Sequence, residues 1–305
     1  MSRRGATGLR GILLLDKPAG MTSHDVVARV RRATGEGRIG HAGTLDPAAT
    51  GLLVVLVGPY TRLEPYLSAA VKRYDACVSF GAETDTDDAE GETLRSAAVP
   101  PDCLDEESAR LVLSGLVGAS LQTPPAFSAI KVGGRVSHRA ARAGKPLHLE
   151  PRAIEVFEAR LIDIDATEAA WHVAFTVSKG TYVRALARDI GRACGSAAHL
   201  SALRRTASGG LQLEDAHTLE EVEAASAGGR LDLLFTDPLC ALGLPVAEGD
   251  ARAVATGSAV PRPADLNACE GARVSVTAEG RLAGVYVVAG DRLVPAAVLP
   301  KGEAT

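Results

Sequence analysis

No apolar run in the chain is long enough to cross a bilayer: runs such as Ile12 to Leu15 and Leu52 to Val57 fall far short of the ~20 residues a membrane helix needs. The N-terminal residues also lack the apolar core of a secretory signal, so a cytoplasmic location is expected. Cysteine is sparse and has no motif. Cys77, Cys103, Cys194, Cys240 and Cys269 are odd in number and include no Cys-x-x-Cys pair, which argues against a disulfide framework or a zinc site. Internal repeats and low-complexity tracts are absent too. What remains is an ordinary globular composition, 46% hydrophobic and 23% charged, in 305 residues, enough for one large domain and a small one.

Charge of one sign is missing locally. From Ser108 to Leu149 there is no acid, while Arg110, Lys131, Arg135, Arg139, Arg142 and Lys145 supply positive charge beside His138 and His148. A second stretch, Lys179 to Arg205, sets Lys179, Arg184, Arg188, Arg192, Arg204 and Arg205 against Asp189 alone. Segregation of this kind can build a basic groove on a chain whose formal net charge is -4. The counterweight lies between Glu83 and Glu107, where ten acids meet only Arg95. Its Thr84-Asp85-Thr86-Asp87-Asp88-Ala89-Glu90-Gly91 segment fails the spacing of a calcium loop, because Ala89 stands where an oxygen ligand belongs. It reads as an exposed acidic turn.

Hydrophobic patterning outlines the fold. Gly11 to Leu15 reads as a strand ending at Lys17-Pro18, and Thr22-Ser23 offers a cap for a helix with Val26, Val27 and Val30 inward, ended by Gly35. Leu52 to Val57 and the alternating Tyr74 to Phe80 read as strands, Leu104 to Leu116 as a helix, and Ala153 to Ile164 with Trp171 to Val177 as paired strands. Without a regular βαβ rhythm, the expectation is a mixed α+β domain around a largely antiparallel sheet with flanking helices. From about Leu244 the chain turns to short β-like pieces, a small β-rich C-terminal domain.

Two stretches carry chemical interest. In Gly40-His41-Ala42-Gly43-Thr44-Leu45-Asp46-Pro47 the proline pushes Asp46 toward extended geometry, so its carboxylate projects from a stiff backbone. Asp followed by Pro is equally a helix-start signal, although Gly51 leaves little helix to cap. In Ser178-Lys179-Gly180-Thr181-Tyr182-Val183-Arg184 a helix opens with Thr181 as cap and Val183, Leu186, Ala187, Ile190 and Cys194 buried. Arg184, Arg188 and Arg192 then form an i, i+4, i+8 row whose first member sits at the positive end of the helix dipole. The row is unfavourable unless something anionic faces it: Asp46 for Arg184, RNA phosphates for the others. Lys72-Arg73-Tyr74 combines cations with a ring suited to base stacking, while Tyr74, Ala76, Val78 and Phe80 also make an ordinary inward strand face.

These blocks, running from Gly40 to Gly51, Lys72 to Tyr74, Ser178 to Arg184 and His199-Leu200-Ser201-Ala202-Leu203-Arg204-Arg205, resemble in order and spacing the signatures of bacterial tRNA pseudouridine synthases of the TruB family, which modify uridine 55 of the T-loop. The resemblance implies a pseudouridine-synthase-like catalytic domain over residues 1–240, with a mobile insertion at about 124–151, and a PUA-like RNA-binding domain over 241–305. It implies Asp46 as the reactive carboxylate, Arg184 holding it ionised, and Tyr74 and Tyr182 in the uracil pocket with Leu203 as an apolar wall. His41 would fill the gap left by a flipped nucleotide. Lys17, Lys131, Arg142, Arg204 and Arg205 would contact substrate. No metal or organic cofactor is implied; the partner is the T-arm of tRNA, and the protein would act as a monomer without an obligatory protein partner or a membrane. One departure is that Val136-Ser137-His138-Arg139 lacks an aromatic residue common in the family. A tRNA-folding protein with an incidental site would need neither Asp46 nor Arg184, and a two-carboxylate glycosidase lacks its second acid beside Asp46.

Overall fold

The computed structural model describes residues 7–300. In chain order they form β1 (Gly11–Lys17), α1 (Ser23–Thr34), β2 (Ile39–Ala42), β3 (Thr50–Val57), α2 (Glu64–Leu67), β4 (Lys72–Phe80), β5 (Ala82–Thr84) and β6 (Thr93–Ser96). Next come α3 (Glu106–Ser114), β7 (Gly118–Gln122), β8 (Lys131–Val132), β9 (Arg135–Val136), α4 (Ser137–Arg142), β10 (Arg152–Asp165), β11 (Ala170–Val177), α5 (Val183–Ala193) and β12 (Ala198–Ser208). The chain ends with β13 (Leu211–Gln212), α6 (Leu219–Ala227), α7 (Pro238–Leu242), β14 (Val246–Glu248), α8 (Ala251–Ala255), β15 (Val260–Pro261), β16 (Arg273–Ala278), β17 (Arg281–Ala289) and β18 (Arg292–Val298).

Two compact units emerge, and they cut across the boundary expected at residue 240. One takes the chain through Pro47, Gly51–Ala70 and everything from Ala207 onward; the other takes Ala48–Thr50 and Val71–Thr206. The physical reason is a shared core. In the first unit β1 and β2 each pair antiparallel with β3, and Ile12, Leu14, Leu52, Val54 and Leu56 from one face bury themselves with Leu282, Val285 and Leu299. The last 60 or so residues therefore do not stand apart from the N-terminal strands, although they keep a five-stranded sheet of their own, β14-β16-β17-β18-β15. Its other face packs Val254, Val260, Val274, Val276, Tyr286 and Leu293, so the β-rich C-terminal texture is as expected.

The α1 reading holds in detail. Thr22 and Asp25 form a reciprocal capping box, Gly35 closes the helix in the left-handed region at φ 67°, and Val26, Val27 and Val30 are buried. No helix follows Asp46, so the helix-cap account of Asp46-Pro47 is excluded.

In the second unit the strand order is β12-β4-β11-β10-β7. Burial along β4 alternates, with Tyr74, Ala76, Val78 and Phe80 inward. The expected β10–β11 pair is a long antiparallel hairpin from Val156↔Val177 to Asp165↔Ala170. Trp171 is fully buried, its ring edge-to-face with Phe80 at 4.8 Å and its Nε1 donating to the Cys103 carbonyl. The helix expected from Leu104 begins later, at Glu106, behind a 3-10 turn at Pro101–Leu104 and an Asp105 cap. Helix α5 carries the arginine row, and it does not start on Thr181: Tyr182 stands at the N-cap, with no side-chain cap bond.

The seat of α5 is tight. A Cβ on Gly191 would lie 2.4 Å from the backbone nitrogen of Ala198, the start of β12. Gly191→Ala is therefore expected to destabilise the protein by about 1–3 kcal/mol through forced separation of α5 from β12, read as a lower urea midpoint at unchanged slope. A midpoint equal to wild type would mean that the helix has room to shift.

Candidate active site

The backbone on either side of Asp46 is pinned. The hydroxyl of Ser23, the first residue of α1, donates to the Leu45 carbonyl at 3.1 Å and accepts from the Leu45 N–H at 2.9 Å, acting as a strand partner would. On the far side, the Pro47 carbonyl accepts from the Gly20 N–H at 2.9 Å and from the Lys17 ammonium at 3.1 Å. Asp46 itself is half-buried. A carboxylate held on both sides by backbone bonds, and left accessible, needs little reorganisation to act.

Lys17 is a correction to the sequence reading. It is 0% exposed, and its three donors are directed at the carbonyls of Pro18 (2.8 Å), Met21 (2.7 Å) and Pro47 (3.1 Å). It braces the Asp46 loop and does not present itself to a substrate. His41, on β2, packs edge-on against His24 with ring centroids 5.5 Å apart.

In the second unit the acidic turn is not the solvated loop expected from composition. Glu83 and Asp87 are buried, and the turn supplies the anions that the arginine row demands. Arg184 lies 3.4 Å from the Asp88 carboxylate and donates to the carbonyls of Thr86 (2.9 Å) and Phe127 (3.1 Å). Arg188 pairs with Asp87 at 2.8 Å, touches Asp189, and donates to the Thr123 carbonyl at 3.0 Å. Arg192 binds Glu83, which Arg95 also holds at 3.2 Å. Arg188 and Arg192 therefore spend their charge on the protein's own carboxylates, not on RNA phosphates. The Arg192 hydrogen bond leads in pulling the Glu83 carboxyl below its ordinary range, whereas burial pushes that of Asp87 up to about 6 against the pull of Arg188 and Arg184.

The start of α5 is held by a residue that motif reading passed over. The side-chain amide of buried Gln122, at the end of β7, accepts from the Tyr182 N–H (2.9 Å) and donates to the Tyr182 carbonyl (3.1 Å). The only sequence signal was a lone glutamine before Thr123-Pro124-Pro125. Tyr74 is buried on β4. On β12, Leu203 is half-buried, its carbonyl accepting from the Thr50 hydroxyl, which in turn accepts from Arg204 at 3.3 Å. Arg205 is 1% exposed and hence not offered to a surface ligand, a second correction. Lys131 on β8 and Arg142 at the end of α4 are exposed, as are Arg135, Arg139 and Lys145. Among the described residues no group of three or more His, Cys, Asp or Glu is arranged to hold a metal, and no helix is long and apolar enough to cross a membrane.

Family models and curated relatives agree on one family. Residues 31–183 match the model of the TruB family pseudouridylate synthase N-terminal domain, and residues 184–236 that of the tRNA pseudouridylate synthase B C-terminal domain. Among curated relatives, tRNA pseudouridine synthase B of Geobacillus thermodenitrificans is 41% identical over 285 residues, 91% of this chain and 94% of its own. That of Opitutus terrae is 46% identical over 216 residues, 71% of this chain and 88% of its own. A chain in the structure of an H/ACA RNP bound to a substrate RNA containing 2'-deoxyuridine superposes with a TM-score of 0.72 at 23% identity, covering 96% of this chain and 86% of that one, which shows a common fold.

Lys72 opens β4 two residues before Tyr74, and burial, with Arg205 and Lys179 nearby, pushes its ammonium down to about 8. The unfolded chain then binds more protons than the folded one between about pH 8 and 10.5, so stability rises with pH across that window. Urea unfolding from pH 7 to 10 should show this rise in the wild type and a flatter profile in Lys72→Met. Parallel profiles would show that Lys72 titrates normally.

Proposed function

The chain belongs to the TruB family of pseudouridylate synthases, and from that premise we propose that it converts uridine 55 in the T-loop of tRNA to pseudouridine, with Asp46 as the reactive carboxylate and the target base flipped out of the loop. The observation that carries the reading is Asp46 itself, accessible on a backbone braced by Ser23 and Lys17. The reaction breaks the glycosidic bond, turns the uracil and rejoins it through carbon 5, so the substrate supplies every atom and no redox partner is required. Asp46 acts on the sugar or the base at the bond-breaking stage. Extrusion of the stacked uridine costs a few kcal/mol, recovered in part by the pocket that receives it.

The remaining roles are those that the resemblance to the family implies. Tyr74 stacks on the extruded uracil, Tyr182 lines the same pocket, and either phenol is placed by this reading to take the proton from carbon 5. Leu203 supplies an apolar wall and His41 fills the space the nucleotide leaves. Arg184 is assigned to the reacting uridine, and Arg204 contributes positive potential. The exposed cations of the basic insertion, Lys131 and Arg142 among them, meet phosphates of the T-arm. The β-rich C-terminal region, read as PUA-like, contacts the acceptor or elbow of the same tRNA, and the enzyme works as a cytoplasmic monomer without a cofactor.

Tritium release from a T-arm stem-loop labelled at carbon 5 of uridine tests the chemistry. Asp46→Asn should fall to about one hundredth of wild-type turnover or less while tRNA affinity stays near wild type. Binding without release from either protein would make this an RNA-folding protein instead, and loss of binding in the variant would make Asp46 structural. For the interface, Lys131→Ala and Arg142→Ala should each weaken binding and lower the slope of log K against log salt by about one. An unchanged slope removes the residue from the phosphate contacts.

A further inference from the structure

Asp87 is one of three non-glycine residues in the described chain with positive φ, at 60°, a conformation that costs an L-residue about 1 kcal/mol or more. The surrounding bonds hold it there. Its N–H donates to the Thr84 carbonyl at 3.2 Å, its carbonyl accepts from the Leu200 N–H at 3.1 Å, and the next peptide returns the bond from Ala89 N–H to the Leu200 carbonyl at 3.1 Å. Asp88 is fixed in the same way, its carbonyl accepting from the Thr84 hydroxyl at 2.6 Å and its carboxylate from the Thr86 hydroxyl at 2.6 Å.

The left-handed residue has a geometric consequence. It lets two consecutive carboxylates meet guanidiniums one turn apart on α5, Asp87 with Arg188 and Asp88 with Arg184. Each arginine then reaches across to the chain leading into the basic insertion, Arg188 to the Thr123 carbonyl and Arg184 to the Phe127 carbonyl. The two arginines thus tie the acidic turn and the root of the insertion to α5 at two levels. Only the upper level contains Arg184. The lower one, Asp87 with Arg188, sets where the turn and the insertion root lie when Arg184 engages them.

We propose that the buried Asp87–Arg188 ion pair is a positioning pair for the isomerisation, fixing Asp88, Thr86 and Phe127 so that the Arg184 guanidinium is held in its working orientation. The proposal rests on the reading that Arg184 serves the reacting uridine. Neither Asp87 nor Arg188 touches substrate in this account. Loss of the pair leaves tRNA affinity intact and slows the chemical step.

Asp87→Asn is the informative variant, because asparagine tolerates the left-handed region and keeps the shape while removing the charge. Turnover of the T-arm substrate by Asp87→Asn and by Arg188→Gln should drop about tenfold with KM within about twofold of wild type, and the double variant should lose no more than the worse single one. The pH profile supplies a readout that a merely structural role would not move. Asp87 is faced by Arg184, Arg188 and Asp189 of α5, by Glu83 and Asp88 of its own turn, and by β12, where the His199 Nδ1 lies 2.9 Å from the Ala82 carbonyl. As pH falls through about 6 its carboxyl takes a proton, the pair discharges, and wild-type kcat declines. That limb should be missing from Asp87→Asn. A wild-type kcat in both single variants, a limb retained in Asp87→Asn, or a loss that vanishes when the assay is run far below the variant's melting temperature overturns the proposal. Arg184→Ala separates it from its premise: full activity in that variant would remove Arg184 from the reaction and the premise with it, whereas inactive Arg184→Ala beside fully active Asp87→Asn would sink the positioning pair alone.

Discussion

Three guanidiniums spaced one turn apart on a short helix, the first within its opening turn, set the constraint around which the second unit is built. Helix dipole and mutual repulsion both oppose Arg184, Arg188 and Arg192 standing together on α5. Burial sharpens the conflict, since Arg184 and Arg188 are both buried, and a buried cation without a counter-charge is expensive. The turn from Glu83 to Asp88 resolves it by delivering one carboxylate to each level of the row. Removing either partner from such a pair typically costs about 3–5 kcal/mol, although replacing both is often tolerated. Stability alone therefore does not explain why the row is charged, and specificity of placement is the better reason.

That placement extends beyond the ion pairs. The same guanidiniums take the carbonyls of Thr123 and Phe127, and the Gln122 amide takes both backbone groups of Tyr182. The segment 122–127 is thereby hydrogen-bonded to α5 at its N-cap, its first turn and its second. Beyond it runs the basic insertion, with its cations exposed. The root of the insertion is rigid by hydrogen bonding, while its tip carries the charge that a phosphate backbone attracts.

Much of this was legible from sequence, but unevenly. Strands β1, β3, β4, β10 and β11 and helix α1 follow from apolar periodicity and capping residues, signals that lie within a few residues of one another. The Asp46 block was readable because proline and glycine restrict the backbone locally. The pairing of the acidic turn is hidden in the sequence because composition records charges without recording whom they meet: Asp87 and Arg188 are 101 residues apart in the chain. The family resemblance points to Lys17 and Arg205 as substrate contacts, yet the strands that carry them bury both. Gln122 was invisible for a related reason, since an amide that substitutes for a helix cap from another strand leaves no pattern beside the helix it caps.

A chain with net charge of -4 that binds RNA must arrange its charge rather than accumulate it. Here the arrangement is a matter of burial. The acids at positions 83, 87 and 88 are consumed by arginines of α5, which neutralises the middle of the basic run from Lys179 to Arg205. Cancellation does not reach the insertion, where no acid stands between Ser108 and Leu149 and Lys131, Arg135, Arg139, Arg142 and Lys145 all face solvent. The exposed cations from Lys131 to Lys145 are thus able to exchange counterions for phosphates. The paired arginines serve to hold Arg184 and the helix that bears it in a single geometry.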